Sequence, residues 1–238
     1  MANPQILNIG TDSTYYTSSG SRTSSSYTVT APATANTVVF IVGLDDTTTG
    51  ADLIPTIAWG SRTAKINLAM IPTAGTPNYR FVKVVSFDVV GEGAISETAT
   101  LTFSVLTSRV DVLGVYCTDG YVQSASVDPQ KSGEDAGYEA VFTGDSANTS
   151  CISFQCVDVT GVVYTPVQGT EVFEASLSSF SAYGMVQTTP SSGIHTIEYT
   201  STANNDHSNA SVILTSRSNL FLGDGTETGP VIKHNVIT

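Results

Sequence analysis

The sequence predicts an all-β protein: a β-sandwich or jelly-roll-like fold with an extended N-terminal arm and an irregular C-terminal tail. Apolar β-branched and aromatic residues alternate with Ser and Thr in many segments of strand length. Clusters of Gly, Pro, Asn and Asp separate these segments, and no long window repeats its apolar residues at helical spacing. We expect a polar arm at residues 1–26, a core domain at residues 27–218, and a tail or edge strand at residues 219–238.

The N-terminal arm is predicted from residues 11–26, TDSTYYTSSGSRTSSS, which are polar and of low complexity. Such a segment buries too little apolar area to fold alone. It is either a leader laid on the surface of the protein or an arm that orders on a neighbouring subunit. In the second case Tyr15 and Tyr16 are candidate interface residues, because tyrosine gives a large contact area at low entropic cost.

The first half of the core carries clear strand signals. The series begins at residues 27–30, and residues 37–43 (TVVFIVG) form a continuous apolar run of the kind found in central strands. Residues 45–50 form a turn cluster. Further strands are predicted at residues 55–59, 64–71, 80–90, 98–105 and 109–117.

The second half contains a predicted charged loop at residues 128–137 (DPQKSGEDAG), and we find no strong internal repeat. Two smaller sandwiches that divide at this loop are the alternative to one large sandwich. Alternation in the strand at residues 194–200 predicts that His195 faces solvent. The other strands are predicted at residues 150–159, 181–188 and 211–215.

The composition limits the kinds of partner. Charged residues make up 13% of the chain, against about 25% in ordinary globular proteins, so Ser, Thr, Asn and Gly must cover much of the surface. Such a surface suits contact with protein or sugars. The net charge is −12 and the nine Lys and Arg residues are scattered, which disfavours nucleic acid and anionic membranes as partners. No apolar run has the length of a membrane-spanning helix.

The three cysteines, Cys117, Cys151 and Cys156, are a poor basis for a disulfide framework because their number is odd. Cys151 and Cys156 are predicted to point to opposite faces of one strand and to act as small buried apolar residues. A bridge from Cys117 to one of them is the alternative. Low cysteine usage and the lack of a secretion signal in the first residues favour synthesis in a reducing host cytoplasm, with release by lysis as for virus particles.

No pattern of residues predicts catalysis, a cofactor or a metal. The histidines lack metal-binding spacing, and the chain has neither a G-x-S-x-G elbow nor a glycine-rich phosphate loop. Pairs of acidic residues are interpreted as solvated turns or helix caps; they are Asp45/Asp46, Glu134/Asp135 and Glu171/Glu174. Calcium at Asp45-Asp46 or at Asp224-Gly225 is the less favoured alternative. We therefore predict a protein that is not an enzyme and has no catalytic, cofactor-binding or metal residues.

Two aromatic residues matter for binding. Trp59, the single tryptophan, follows a short strand and is predicted to lie in the core rather than to stack on a sugar. Tyr121 lies in or near a loop and joins Tyr15 and Tyr16 as a candidate interface residue.

A short motif gives a family resemblance. The apolar strand at residues 37–41 is followed by Asp45-Asp46 and by Ile57-Ala58-Trp59-Gly60-Ser61, and then by alternating strands up to Tyr116. This order resembles β-sandwich modules of tailed-phage virion proteins, such as decoration and tail-fibre proteins, over residues 35–217. Ser61 stands where those modules have a second glycine. The resemblance implies a virion or surface role and transfers no catalytic residues.

These observations together favour a bacteriophage virion structural protein. The leading expectation is a capsid decoration (cement) protein, a homotrimer that binds the major capsid protein on the capsid exterior and stabilises subunit junctions. The alternative is a tail-fibre or receptor-binding protein that recognises glycans on the host surface.

Overall fold

The structure is a computed structural model. It describes residues 4–7, 22–46, 56–69, 79–107, 109–117, 120–131, 138–144, 149–157, 161–177, 180–188, 192–202, 207–215 and 233–235. Every regular element in these ranges is a β-strand and every strand pair is antiparallel, which confirms the predicted all-β class. None of the described residues belongs to a helix long and apolar enough to cross a membrane.

The strands divide into two groups along the chain. The first group is β1 (Pro4–Leu7), β2 (Arg22–Ala31), β3 (Thr37–Asp46), β4 (Thr56–Trp59), β5 (Ile66–Ala69), β6 (Tyr79–Asp88), β7 (Ile95–Thr107) and β8 (Arg109–Cys117). The second group is β9 (Tyr121–Lys131), β10 (Tyr138–Gly144), β11 (Thr149–Val157), β12 (Tyr164–Gln168), β13 (Thr170–Leu177), β14 (Phe180–Thr188), β15 (Gly193–Ser201), β16 (His207–Thr215) and β17 (Lys233–Asn235).

Each group forms one two-sheet sandwich. In the first sandwich, sheet A has the order β1-β8-β3-β6-β5 and sheet B the order β2-β7-β4. In the second, sheet C has the order β9-β16-β11-β14-β13, and sheet D has the order β12-β15-β10-β17. In the first group β1 pairs with β8, β2 with β7 and β3 with β6. The second group has the equivalent pairs β9–β16, β10–β15 and β11–β14. This nested pairing is that of a jelly roll.

The second sandwich repeats the topology of the first. Adding eight to each strand number of sheet A gives sheet C, and the same step converts sheet B into sheet D without its extra strand β17. The expectation that the chain has no strong repeat is therefore wrong at the level of strand order. The repeat was not visible in the sequence because topology depends on which strands pair. In addition, the residues at equivalent positions of the two halves differ in chemistry.

The two sandwiches pack against each other through sheets A and C. Strand β6 lies against β16 and β9, and β3 lies against β11, so the layer order is B, A, C, D. Sheets A and C are thereby buried on both faces, whereas sheets B and D each keep one outward face. The shared core is made of Val39, Ile41, Val82, Val84, Ile152, Phe154, Cys156, Ala210, Val212 and Leu214.

The core of the first sandwich is centred on three aromatic rings. Phe40, Trp59 and Phe87 pack edge to face, with ring centroids 5.6–5.8 Å apart. All three side chains are fully buried. The interpretation of Trp59 as a core residue is confirmed, and its ring is not available for stacking on a sugar.

The boundaries differ from those predicted in several places. Asp45 and Asp46, predicted in a turn, are the last residues of β3, and Glu171 and Glu174, also predicted in turns, belong to β13. Residues 4–7 of the predicted arm form β1. The chain passes from the first sandwich to the second between Cys117 and Tyr121, ahead of the expected division at residues 128–137. Strand β9 continues to Lys131 and so includes the start of the predicted charged loop. Strand β2 begins at Arg22, so the end of the predicted arm lies in a sheet. Most of the predicted arm and tail lies outside the described residues.

The cysteines of β11 face in opposite directions, as predicted. Cys151 lies in the core of the second sandwich and Cys156 in the core shared by sheets A and C. Both are buried and neither is in a disulfide. The alternative in which Cys117 is bridged to one of them is therefore wrong.

Candidate interaction surface

The predicted interface residues are not brought together by the described structure. Tyr15 and Tyr16 lie outside the described residues. Tyr121 is the first residue of β9, at the edge of sheet C, where it is partly buried opposite Thr215. The surfaces that distinguish the two sandwiches lie elsewhere, on the outward faces of sheets B and D.

The outward face of sheet B, here called the B face, is almost entirely hydroxylated. Alternate residues of three strands point away from the core because their neighbours are buried beneath them. Ser26 lies directly opposite Thr100, with their hydroxyl oxygens 3.4 Å apart. The B face is formed by Ser24, Ser26, Thr28, Thr30, Thr56, Ala58, Ser96, Thr98, Thr100 and Thr102. None of these ten residues carries a charge or a large apolar side chain.

The corresponding face of sheet D, here called the D face, has a different chemistry. It is formed by Glu139, Val141, Thr143, Thr165, Gln168, Ile194, Thr196, Glu198 and Thr200. At its centre Glu139 lies directly opposite Glu198 on the neighbouring strand. Side chains in such cross-strand positions have Cβ atoms about 5 Å apart, and like charges there are destabilising.

The strand register places an amide residue on either side of this acidic pair. Gln168 is opposite Glu198 and Asn235 is opposite Glu139, so one row across four strands reads Gln, Glu, Glu, Asn. Lys233 on β17 is opposite Val141, and its register position is therefore diagonal to Glu139. Glu198 is separated from that lysine position by the intervening strand β10.

Exposed apolar side chains are concentrated around the D face. Ile194, on this face, is 78% exposed and lies opposite Thr143, and Val141 lies one row nearer to the acidic pair. Val163 and Val167, on the edge of the same sheet, are 59% and 52% exposed. Exposed apolar side chains clustered within a polar rim are characteristic of interaction surfaces.

Arg62, in the connection between β4 and β5, links this connection to the connection between β6 and β7 and to the start of β7. Its guanidinium lies 4.1 Å from the centroid of the Trp59 ring, and Nη1 donates to Glu97 Oε2 at 2.7 Å. Nε donates to Glu92 Oε2 at 2.9 Å. The hydrogen bond from Arg62 holds the pKa of Glu97 below its usual value. Gly60, with φ +58°, turns the chain between β4 and Arg62. These contacts stabilise the β4–β5 and β6–β7 connections and have a structural role.

The interior of the second sandwich is unusually polar. Tyr164 of sheet D stacks on Tyr183 of sheet C, with centroids 4.3 Å apart and planes at 6°. Tyr199 meets the Tyr183 ring edge to face at 5.0 Å. Tyr138 of sheet D is hydrogen-bonded to Ser211 of sheet C through their hydroxyls, 2.6 Å apart.

A row of polar side chains crosses sheet C beneath these tyrosines. Gln155 lies between Tyr183 on β14 and Asn209 on β16. Both amide atoms of Gln155, Oδ1 of Asn209 and the hydroxyl of Tyr164 are buried without a hydrogen-bond partner among the described residues. Burial raises the pKa of Tyr164 and Tyr199 well above the usual range. The tyrosine rings fill the space between the sheets, so this interior is a packed core rather than an open pocket.

Sequence reasoning missed the D face because only one of its strands, β15, was predicted. The signal that could have found it is the alternation of Glu139, Val141 and Thr143 with buried apolar residues. Among the described residues, no group of three acidic, histidine or cysteine side chains is arranged to hold a metal ion. Comparison of the chain with protein-family models, curated proteins and solved structures found no match.

Proposed function

We propose that this protein is a non-enzymatic structural component of a phage virion, a capsid decoration protein that binds the capsid exterior and stabilises subunit junctions. The observation that supports this most directly is the tandem pair of jelly-roll sandwiches, since this architecture recurs in viral capsid domains. The resemblance to phage virion modules in the first half of the chain points the same way.

The four-layer body suits such a role mechanically. Stacked sheets lie about 10 Å apart, so the B and D faces are on opposite sides of a slab roughly 30 Å thick. One face can contact the capsid while the other faces solvent. A homotrimer with closed symmetry, in which each contact is repeated, is the assembly that we propose. Its partner is the major capsid protein.

The proposal is tested by locating the protein on particles. Antibodies raised against the purified full chain are applied to gradient-purified particles and viewed by immuno-electron microscopy, with mass spectrometry of the same fractions. We expect regular labelling of the capsid surface. Absence of the chain from purified particles would refute a virion role altogether.

The alternative is a receptor-binding or tail-fibre protein that recognises host glycans. It is favoured by one observation, that jelly-roll domains also serve as lectins. Labelling at the tail tip, together with a glycan-array signal that is lost in Tyr121→Ala, would replace the decoration proposal with this one. Trp59 has no part in such a site because it is buried.

A further inference from the structure

We propose that the D face, and not the B face, is the surface that docks on the partner, and that the partner presents a basic side chain flanked by apolar ones. This inference rests on the proposed function for the identity of the partner as a capsid protein. It is carried by the geometry of the D face and by its comparison with the B face.

Because the two sandwiches have the same topology, the B face can be compared directly with the D face. The B and D faces occupy the same place in two sandwiches of the same topology. Both must cover a buried core with an outward layer of soluble side chains. The named residues of the B face do so with nine hydroxyls and Ala58, so the fold itself requires neither acids nor large exposed apolar residues at this position.

The acidic pair gives the charge of the partner. Glu139 and Glu198 are in direct cross-strand register, partly exposed, on a chain whose net charge is −12. Their repulsion weakens the free protein, and a lysine or arginine inserted between them would relieve it. The attraction between such a cation and the two carboxylates is stronger once the contact excludes water from the surface.

The apolar side chains give the rest of the partner's chemistry. On one side of the acidic pair, Val141 lies in the next row and Ile194 in the row after it; on the other side, Val167 lies at the sheet edge. The core of a protein–protein contact is apolar and its rim polar. A partner that brings apolar side chains onto these three residues therefore places its basic side chain over the two glutamates.

The test uses capsids stripped of this protein and the purified full chain. Binding of the unmodified chain is compared with that of Glu198→Gln and Ile194→Thr. Each has a matched control that makes the same chemical change away from the D face: Glu174→Gln on β13 and Val90→Thr in the turn after β6. We expect Kd to rise by about tenfold in each D-face variant and to be unchanged in both controls.

A second measurement separates docking from folding. In the free protein, Glu198→Gln removes the repulsion and should raise Tm by about 1–3 °C, while the same variant binds more weakly. A purely structural role for Glu198 would not give greater stability with weaker binding. Glu198 is the better choice of the two acids because the lysine position on β17 lies beside Glu139.

The outcomes distinguish this inference from the proposed function. If the unmodified chain binds stripped capsids and the D-face variants bind equally well, the D face is not the docking surface but the decoration role stands. If controls and D-face variants are weakened alike, the inference also fails. If the unmodified chain does not bind stripped capsids at all, the decoration proposal fails and the docking inference with it.

Discussion

Replacing Gly43 by alanine tests the packing of the two sandwiches. Gly43 lies in β3 on the side that faces sheet C, and its backbone is not in the left-handed region. A Cβ atom there would lie 3.0 Å from Cε1 and 3.2 Å from Cζ of Phe154, and 3.3 Å from Cβ of Cys156. The glycine is therefore needed for close approach of the sheets rather than for a turn.

The expected effect is a balance of two terms. Overpacking a buried core costs about 1–3 kcal/mol, and the Phe154 ring is enclosed by the shared core, so it has little room to move. Gly→Ala returns about 0.4–1 kcal/mol by restricting the unfolded chain. We expect Gly43→Ala to lower the free energy of unfolding by about 1–2 kcal/mol.

The assay is urea denaturation of the unmodified chain, Gly43→Ala, Phe154→Leu and the double variant. Leucine removes the ring atoms that meet the new methyl group, so the double variant should be more stable than the sum of the single effects, by about 1 kcal/mol. Additive effects, or a stabilised Gly43→Ala, would refute the close packing of Gly43 on Phe154.

Three further predictions concern the cores and the contacts of Arg62. Gln155→Met should raise the free energy of unfolding by about 1–2 kcal/mol, because it replaces two unpartnered buried polar atoms with apolar ones of similar size; destabilisation in urea titrations would show that Gln155 is satisfied. Arg62→Ala should lower the free energy of unfolding by about 1–2 kcal/mol through loss of the cation–π contact and buried stem. Because Arg62 lowers the folded-state pKa of Glu97, the ion-pair part of its contribution is present above the unfolded pKa of Glu97 and is lost as the pH falls below about 4. The difference in stability between variant and unmodified chain should therefore become smaller in acid, while the part due to the cation–π contact and the buried stem remains. Burial raises the pKa of Cys151 and also excludes reagents from Cys156, so neither should react with iodoacetamide in the native protein at pH 8, and both should react in urea. Peptide mass spectrometry that finds either residue labelled in the native sample would contradict this prediction.

The strands of the first half were predictable because they are rich in β-branched and other apolar residues. The run from Thr37 is continuous and apolar, as a strand buried on both faces requires, and β8 was predicted with its observed bounds. The strands that escaped prediction have weak local signals. β9 is rich in Ser and ends in charged residues, and β12 contains Pro166 at a sheet edge, where a missing N–H is tolerated.

The orientation of side chains in β15 was predicted incorrectly. His195 was expected to face solvent, but it lies partly buried with its ring 5.9 Å from that of Phe142, while Ile194 is the exposed residue. The expectation used only the hydrophobicity of Ile194, which was taken to point into the core. The observed phase is set by Ile197 and Tyr199, which are fully buried, and it places the larger apolar residue on the D face.

The candidate surface needed information that no single strand contains. Glu139 and Glu198 are far apart in sequence, and only antiparallel register makes them neighbours. The unpartnered row beneath the tyrosines likewise joins residues of three strands. Local patterns predict which residues alternate, whereas pairing between distant strands decides which of them meet.

Burial of sheet A on both faces has a consequence for synthesis of the chain. The eight strands of the first sandwich are complete at Cys117, but Val39, Ile41, Val82 and Val84 are covered only by strands from the second. At about 5–20 residues per second, the remaining roughly 120 residues take about 6–24 s to emerge. During that interval the nascent chain displays an apolar sheet that another nascent chain of the same protein can match, so crowded ribosomes favour exchange of sandwiches between copies.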